Sequence, residues 1–221
     1  MNEKPQLVYF DIRGRAEPIR LLLEDMGAEY EDVQITENDW PNIKPTTPFG
    51  RMPVFRDGKH QIPETYAILY FLGRKYDLLG TDEPSRIRCD VTLETIKDFG
   101  NRSAAVFGAL SGSDSDDRRR AFVEQEAPAL ISALETFYGQ NSSQNGFWAG
   151  DSLTIADFSA FNFVEGIENQ FPGALASFSQ LDGFRKQFAA RPRVRDYQTS
   201  ARRPAALFYG PEGKIYPSKS G

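Results

Sequence analysis

The chain of 221 residues reads as an α/β domain followed by an all-helical domain, and three observations predict it. Between Leu7 and Ile62 short apolar runs of strand character surround one helical stretch and end in a hairpin signal. Residues Asp77 to Arg86, with Gly80, Asp82, Glu83 and Pro84, have the composition of a linker. Beyond them the apolar residues recur at helical spacing. The expected division is residues 1–78, a link at 79–86, and a helical domain at 87–221.

Leu7 to Phe10 is the first strand, and Ala16 to Met26 places Ile19, Leu22, Leu23 and Met26 on a helix that stops at Gly27. Tyr30 to Ile35 alternates as a second strand, so the two strands should run parallel with a right-handed crossover. The loop that follows holds Trp40, Lys44, Pro45, Pro48 and Gly50 and cannot sustain a long helix. Trp40 is therefore expected on irregular backbone, where large aromatics more often bind than pack. Met52 to Arg56 and Lys59 to Ile62 flank Asp57-Gly58, a two-residue hairpin signal. A helix from Glu64 to Tyr76 buries Ile68, Leu69 and Leu72. The order β, α, β, loop, hairpin, α is a thioredoxin-like layout without the Cys-x-x-Cys of redox members.

In the second part, Ile87 to Leu110 carries Val91, Leu93, Ile96, Phe99, Ala104 and Phe107 at helical spacing. Ser113 to Asp117 supplies caps and negative charge for a helix from Arg118 to Tyr138. Gln140 to Gly146 is a loop. Thr154 and Asp157 have capping-box spacing, with Leu153 and Phe158 as the staple. Helical patterns at Leu181 to Ala190 and Val194 to Ser200 follow, and Ala205 to Tyr209 begins a tail.

Composition narrows the chemistry. Hydrophobic residues make up 40% and charged residues 26%, as in an ordinary globular chain. No apolar run approaches ~18 residues and the N-terminus lacks a secretory signal, so a cytoplasmic protein with no membrane partner is expected. A single cysteine, Cys89, excludes an intrachain disulfide and reads as a small core residue. A single histidine, His60, leaves no usual metal constellation. The net charge of −5 argues against a nucleic-acid partner, and Arg118 to Arg120 and the arginines from Arg185 to Arg203 read as solvated helix faces.

Tyr9 stands at a strand end facing a helix start. Its phenol can donate to an anion, and Arg13, Arg15 and the helix N-terminus add positive potential there. Spacing alone equally allows a half-buried strand aromatic beside solvated arginines. The twelve residues from Tyr9 to Arg20, YFDIRGRAEPIR, resemble the opening of tyrosine-type cytosolic glutathione transferases, closest to the sigma class and nearly as close to the pi class. The resemblance extends over nearly the full length, apart from Gly210 to Gly221. It implies the glutathione transferase fold, an enzyme that needs no cofactor beyond glutathione as co-substrate, and a tyrosine that stabilises the glutathione thiolate with Arg15 nearby.

The resemblance also distributes the rest of the site. Trp40 and Lys44 match residues that hold the glycine carboxylate, and Arg51 is a neighbouring polar group. Met52-Pro53 matches a cis-proline corner whose backbone pairs with the cysteinyl part. Glu64-Thr65 stands where sigma and pi members have Gln-Ser; a hydroxyl at a helix N-terminus and a carboxylate still suit the γ-glutamyl group, although Thr65 is equally a plain helix cap. Asp98 matches an acid that reaches the glutathione of the neighbouring subunit, which implies a homodimer. Phe49 occupies the place of an aromatic dimer key, or packs within its own chain. The electrophile is expected over Phe10, Ile12, Arg13 and the inner side of the helix at Ala104, Ala105, Phe107 and Gly108, in a wide apolar pocket for small apolar electrophiles. Sigma-class prostaglandin D synthases carry a tryptophan at the place of Ala105, which discounts that activity. A crystallin-like structural or carrier protein is the alternative; relatives of that kind share a motif like Ile62-Pro63-Glu64 but usually carry a long insert missing here.

Overall fold

The computed structural model describes the backbone of residues 4–108, 121–141, 145–209 and 215–217, and their side chains except at 103–108, 123, 208, 209 and 215–217. β1 (Gln6–Phe10) lies inside a four-stranded sheet of order β2-β1-β3-β4. It runs parallel to β2 (Glu31–Ile35) and antiparallel to β3 (Val54–Asp57), which pairs with β4 (His60–Pro63). Leu7, Val8 and Tyr9 are buried, as a central strand requires. The parallel pair needs a crossover, made by α1 (Glu17–Asp25). Pro18 sits in its first turn, where a missing N–H costs nothing, and Gly27 follows its end at φ +63.

The hairpin turn lies one residue beyond its expected place. Asp57 pairs with His60, so the turn is Gly58-Lys59. Gly58 takes φ +56 at the first turn position, which a glycine satisfies without strain, and Asp57 stays in the strand to hold Lys75 at 2.8 Å. Trp40 also differs from expectation: it opens a single helical turn, α2 (Trp40–Ile43). Pro41 is compatible with a first turn but Pro45 is not compatible with a longer helix, and short 3₁₀ turns follow at Lys44–Thr46 and Pro48–Gly50.

α3 (Thr65–Lys75) completes the first domain as expected. α4 (Glu83–Gly108) starts inside the stretch read as linker. Asp82 and Ser85 cap it reciprocally: the Ser85 N–H donates to Asp82 Oδ1 at 2.9 Å and the Asp82 N–H to Ser85 Oγ at 3.1 Å. Leu93, Ile96 and Phe99 are buried, whereas Ile87 and Val91 face outward. A π turn at Phe122–Glu126 leads into α5 (Ala127–Gly139); the cap at Ser113 to Asp117 and the arginines 118–120 lie outside the described residues.

α6 (Ile155–Gln170), α7 (Ser179–Ala189) and α8 (Pro192–Gln198) complete the helices. The capping box of α6 forms as expected, with the Thr154 N–H 2.7 Å from Asp157 Oδ2, and Asp157 also takes the Trp148 N–H at 2.8 Å. Leu153 and Phe158 both join the core. α1 packs on α6 and α8, joining the domains, and the Ile155 N–H donates to the Leu78 carbonyl at 2.9 Å. The tail forms an antiparallel ribbon of β5 (Ala206–Tyr209) and β6 (Ile215–Pro217).

Cys89 is buried, which pushes its thiol up to about 11. Of the arginines near the C-terminus read as solvated faces, Arg195 and Arg202 do keep mostly exposed side chains, whereas Arg191 and above all Arg203 do not. Arg191 grips Asp25 at 2.6 Å, Arg202 grips Glu24 at 2.7 Å, and Arg203 is buried between Glu17 and Glu165. Among the described residues, no helix is long and apolar enough to cross a membrane.

Candidate active site

Tyr9, the last residue but one of β1, is almost wholly buried, and its phenol oxygen accepts the backbone N–H of Arg15 at 3.2 Å. Burial pushes the phenol above its ordinary range, while that N–H and the charges of Arg15 and Arg20 pull it down. The net effect keeps the proton on the oxygen. A hydroxyl that already accepts from Arg15 has that proton left to donate.

The turn between the two residues depends on Gly14. It takes φ +43, and a β-carbon there would lie 2.7 Å from the Tyr9 hydroxyl. The Arg15 guanidinium is reached by Asn101 of α4, whose Oδ1 accepts it at 3.3 Å. The Thr65 hydroxyl donates to the Arg15 carbonyl at 2.9 Å, so the first turn of α3 is fastened to the same loop. Tyr9, Arg15 and Thr65 thus come together, with a helix N-terminus whose amides favour an anion. Glu64 precedes that helix at φ +71 with its side chain exposed.

Trp40 meets Phe10 edge to face, ring centres 5.6 Å apart, and Phe10 meets Tyr9 in the same way at 5.8 Å. This aromatic row joins the loop after β2 to the end of β1. The Met52-Pro53 bond is cis. Lys44 and Arg51 are exposed. Asp98 lies on the exposed side of α4, 3.3 Å from Arg102, away from the Tyr9 cluster in hydrogen bonding. Phe49 is 82% exposed at φ +59.

A cavity of about 430 Å³ opens beside Gly14, between α4, α5, α6 and the tail. Phe99, Phe122, Ile131, Phe163, Phe171, Phe178 and Leu207 line it, with Asn162 and Gln170 as polar groups and, among the described residues, no charged side chain in its wall. Of the expected electrophile lining, Phe10, Ile12 and Arg13 are not among the described residues of this wall. Ile12 is packed into the core, and Arg13 turns to the tail, its Nε 3.0 Å from the Pro204 carbonyl and its N–H 2.9 Å from that of Ala206. Phe10 is spent on the aromatic row. The side chains of Ala104, Ala105, Phe107 and Gly108 lie outside what is described.

Two residues of the site escaped the sequence. Asn101 belongs to an Asn-Arg-Ser triplet and gave no structural signal. Arg20 is wholly buried and donates to Asp32 at 2.9 Å and to the Ile12 carbonyl at 2.9 Å. Its signal was position: it stands between Ile19 and Leu21 in a run, Ile19 to Leu23, with no other polar residue, and a helix that is apolar on all sides is buried on all sides.

Matches to known proteins agree with this geometry. Residues 5–74 match the glutathione S-transferase N-terminal domain and residues 97–201 the glutathione S-transferase C-terminal domain. A glutathione S-transferase of Dirofilaria immitis is 31% identical over 192 residues, covering 87% of this chain and 90% of the relative. One of Tyrophagus putrescentiae is 31% identical over 222 residues, covering 97% of each. The solved pi-class glutathione S-transferase of Onchocerca volvulus superposes with a TM-score of 0.80 at 29% identity, covering 89% of this chain and 92% of that one. With its two domains matched in order and relatives of this identity covering most of its length, the chain belongs to the glutathione S-transferase family of enzymes.

Proposed function

We propose that Tyr9 is the thiolate-stabilising group of a tyrosine-type transferase, nearest the sigma class, that joins glutathione to small apolar electrophiles. The observation that carries this is the Tyr9 hydroxyl, a protonated donor that accepts the Arg15 amide and packs against Gly14, and Gly14 lines a cavity with no charged side chain among the described residues of its wall. The thiol proton leaves to solvent, Tyr9 donates a hydrogen bond to the sulfur left behind, and Arg15 adds positive potential. The sulfur lone pair then forms the bond to the electrophile, which either expels its leaving group with the bonding pair or shifts its π electrons to an acceptor atom that takes a proton from solvent. Lowering a thiol pKa by about two units takes ~2.7 kcal/mol of differential stabilisation, within reach of one such bond and one cation.

In this reading residues 1–78 hold glutathione, 79–86 link, and 87–221 supply the electrophile side. Trp40, Lys44 and Arg51 hold the glycine carboxylate, the Met52 backbone before Pro53 pairs with the cysteinyl part, and Glu64 and Thr65 take the γ-glutamyl group. Asp98 serves the partner's glutathione in a cytoplasmic homodimer, with Phe49 entering the neighbouring subunit. The exposure of Phe49, Ile87 and Val91 supports that assembly. The electrophile lies in the 430 Å³ cavity, whose wall, apolar and uncharged among the described residues, favours neutral apolar compounds.

The test is conjugation of a chloronitrobenzene, with retention on immobilised glutathione measured beside it. Retention together with turnover is expected. Retention without turnover would favour a carrier on the same fold.

A further inference from the structure

A row of charges alternating in sign crosses the interior from one domain to the other: Asp32, Arg20, Glu17, Arg203 and Glu165. Arg20 lies 2.9 Å from Asp32 and 3.6 Å from Glu17; Arg203 lies 2.6 Å from Glu17, and its other nitrogen donates to Glu165. Arg20 and Glu17 are fully buried, and the Arg203 side chain is 6% exposed. Buried charge is tolerated only when paired. Burial works against the charge on Arg203, but Glu17 and Glu165 outweigh it and hold the guanidinium above its ordinary value.

Both ends of Arg203's reach converge on the loop between Tyr9 and Arg15. Through Glu17 it faces Arg20, whose Nη1 donates to the carbonyls of Ile12 at 2.9 Å and Arg13 at 3.3 Å. Through the chain it precedes Pro204, whose carbonyl accepts the Arg13 side chain at 3.0 Å. Arg13 lies in the chain between Tyr9 and Arg15, whose amide donates to the phenol. The loop is therefore held from beneath by one arginine and from the tail by the residues after the other.

We infer that Arg203 is a positioning residue for thiolate formation: by clamping this loop through Glu17 and Arg20 and through Pro204, it keeps Tyr9 and Arg15 aimed at one sulfur. This rests on the reading of Tyr9 as the thiolate's hydrogen-bond donor. Removing the charge acts in the same direction as loosening the clamp, since Glu17 and Glu165 would share one cation fewer and the potential near the sulfur would become more negative.

The pH profile of kcat/KM separates this role from a merely structural one. Arg203→Gln is expected to raise the profile's acid-side midpoint by about one unit, a loss of roughly 10-fold below it, with the KM for glutathione within about 2-fold. Arg203→Lys keeps the charge but cannot span both carboxylates, and is expected to shift the midpoint the same way by about half as much. Should Arg203→Gln fail to fold, Arg203→Lys decides by the same criterion. Tyr9→Phe is measured alongside. An unshifted midpoint in the folded Arg203 variant, with Tyr9→Phe shifted, overturns the inference and spares the role of Tyr9. A shift in the Arg203 variant that Tyr9→Phe lacks overturns it too, because the loop would then serve another group. If neither variant shifts, the reading of Tyr9 falls and the inference with it.

Discussion

The phenol oxygen of Tyr9 stands 3.2 Å from the Arg15 amide nitrogen, and a β-carbon on the intervening Gly14 would come within 2.7 Å of that oxygen. The hydroxyl is thus fixed by an incoming N–H on one side and by bare backbone on the other. Its remaining hydrogen is directed by what is left open.

Gly14→Ala should displace the hydroxyl. The φ of +43 already costs an alanine about 1 kcal/mol, and the new methyl cannot share the space with the phenol. Conjugation should fall about 10- to 100-fold while glutathione retention persists. Turnover at the wild-type level would show that the phenol's position does not matter.

Asp157 makes stability depend on pH in a direction unusual for a carboxylate. Burial raises it to about 6, against the pull of the Trp148 and Thr154 groups it accepts from. Because this lies above the ordinary carboxyl value of 3.8, the folded protein binds a proton that the unfolded chain has lost. The stabilising contribution is full below 3.8 and lost as pH rises through 6. Two units correspond to on the order of 3 kcal/mol. In denaturant titrations, the stability advantage of wild type over Asp157→Asn should shrink by about that amount across the window; a constant difference would contradict it. Asp157→Ala strands two buried N–H groups and should cost about 2 to 5 kcal/mol.

Phe49 is 82% exposed on a backbone of φ +59, an arrangement that leaves a large ring in water on an isolated chain. Phe49→Ala should weaken the dimer before it affects glutathione binding. Asp98→Asn should do the reverse, costing about 1 to 3 kcal/mol of glutathione affinity. Sedimentation at several concentrations beside glutathione titration reads both. A fully active wild-type monomer would contradict the shared site.

Local periodicity made the strands and helices legible, because Leu7 to Phe10, Ile68 to Leu72 and the Thr154-Asp157 box state their environment within a few residues. The turn at Gly58-Lys59 was missed by one position, since Asp57 is a turn former in isolation but a strand residue once Lys75 is brought to it. The buried arginines were missed for a related reason. Arg203 finds Glu17 and Glu165 only after α1 and α6 have packed together, and a count of charges along the chain cannot see partners so far apart. In the site, Tyr9 and Arg15 meet because they flank one strand-to-helix corner, whereas Thr65, at the start of α3, reaches that corner only through its bond to the Arg15 carbonyl. Arg13 was placed beside the electrophile by resemblance, and no local pattern announces the Pro204 carbonyl that accepts its side chain. The ribbon was equally hidden, because β6, the partner that β5 needs, lies in the part of the chain without a clear counterpart.

The central claim is that Tyr9 donates to the sulfur of glutathione, and the ultraviolet absorbance of the bound thiolate tests it most directly. Titrated on the wild-type complex, the thiolate should form with a midpoint about two units below that of free thiol, near 8.5. In Tyr9→Phe the midpoint should return by about one unit or more, with glutathione still bound. Identical midpoints in the two complexes would contradict the account.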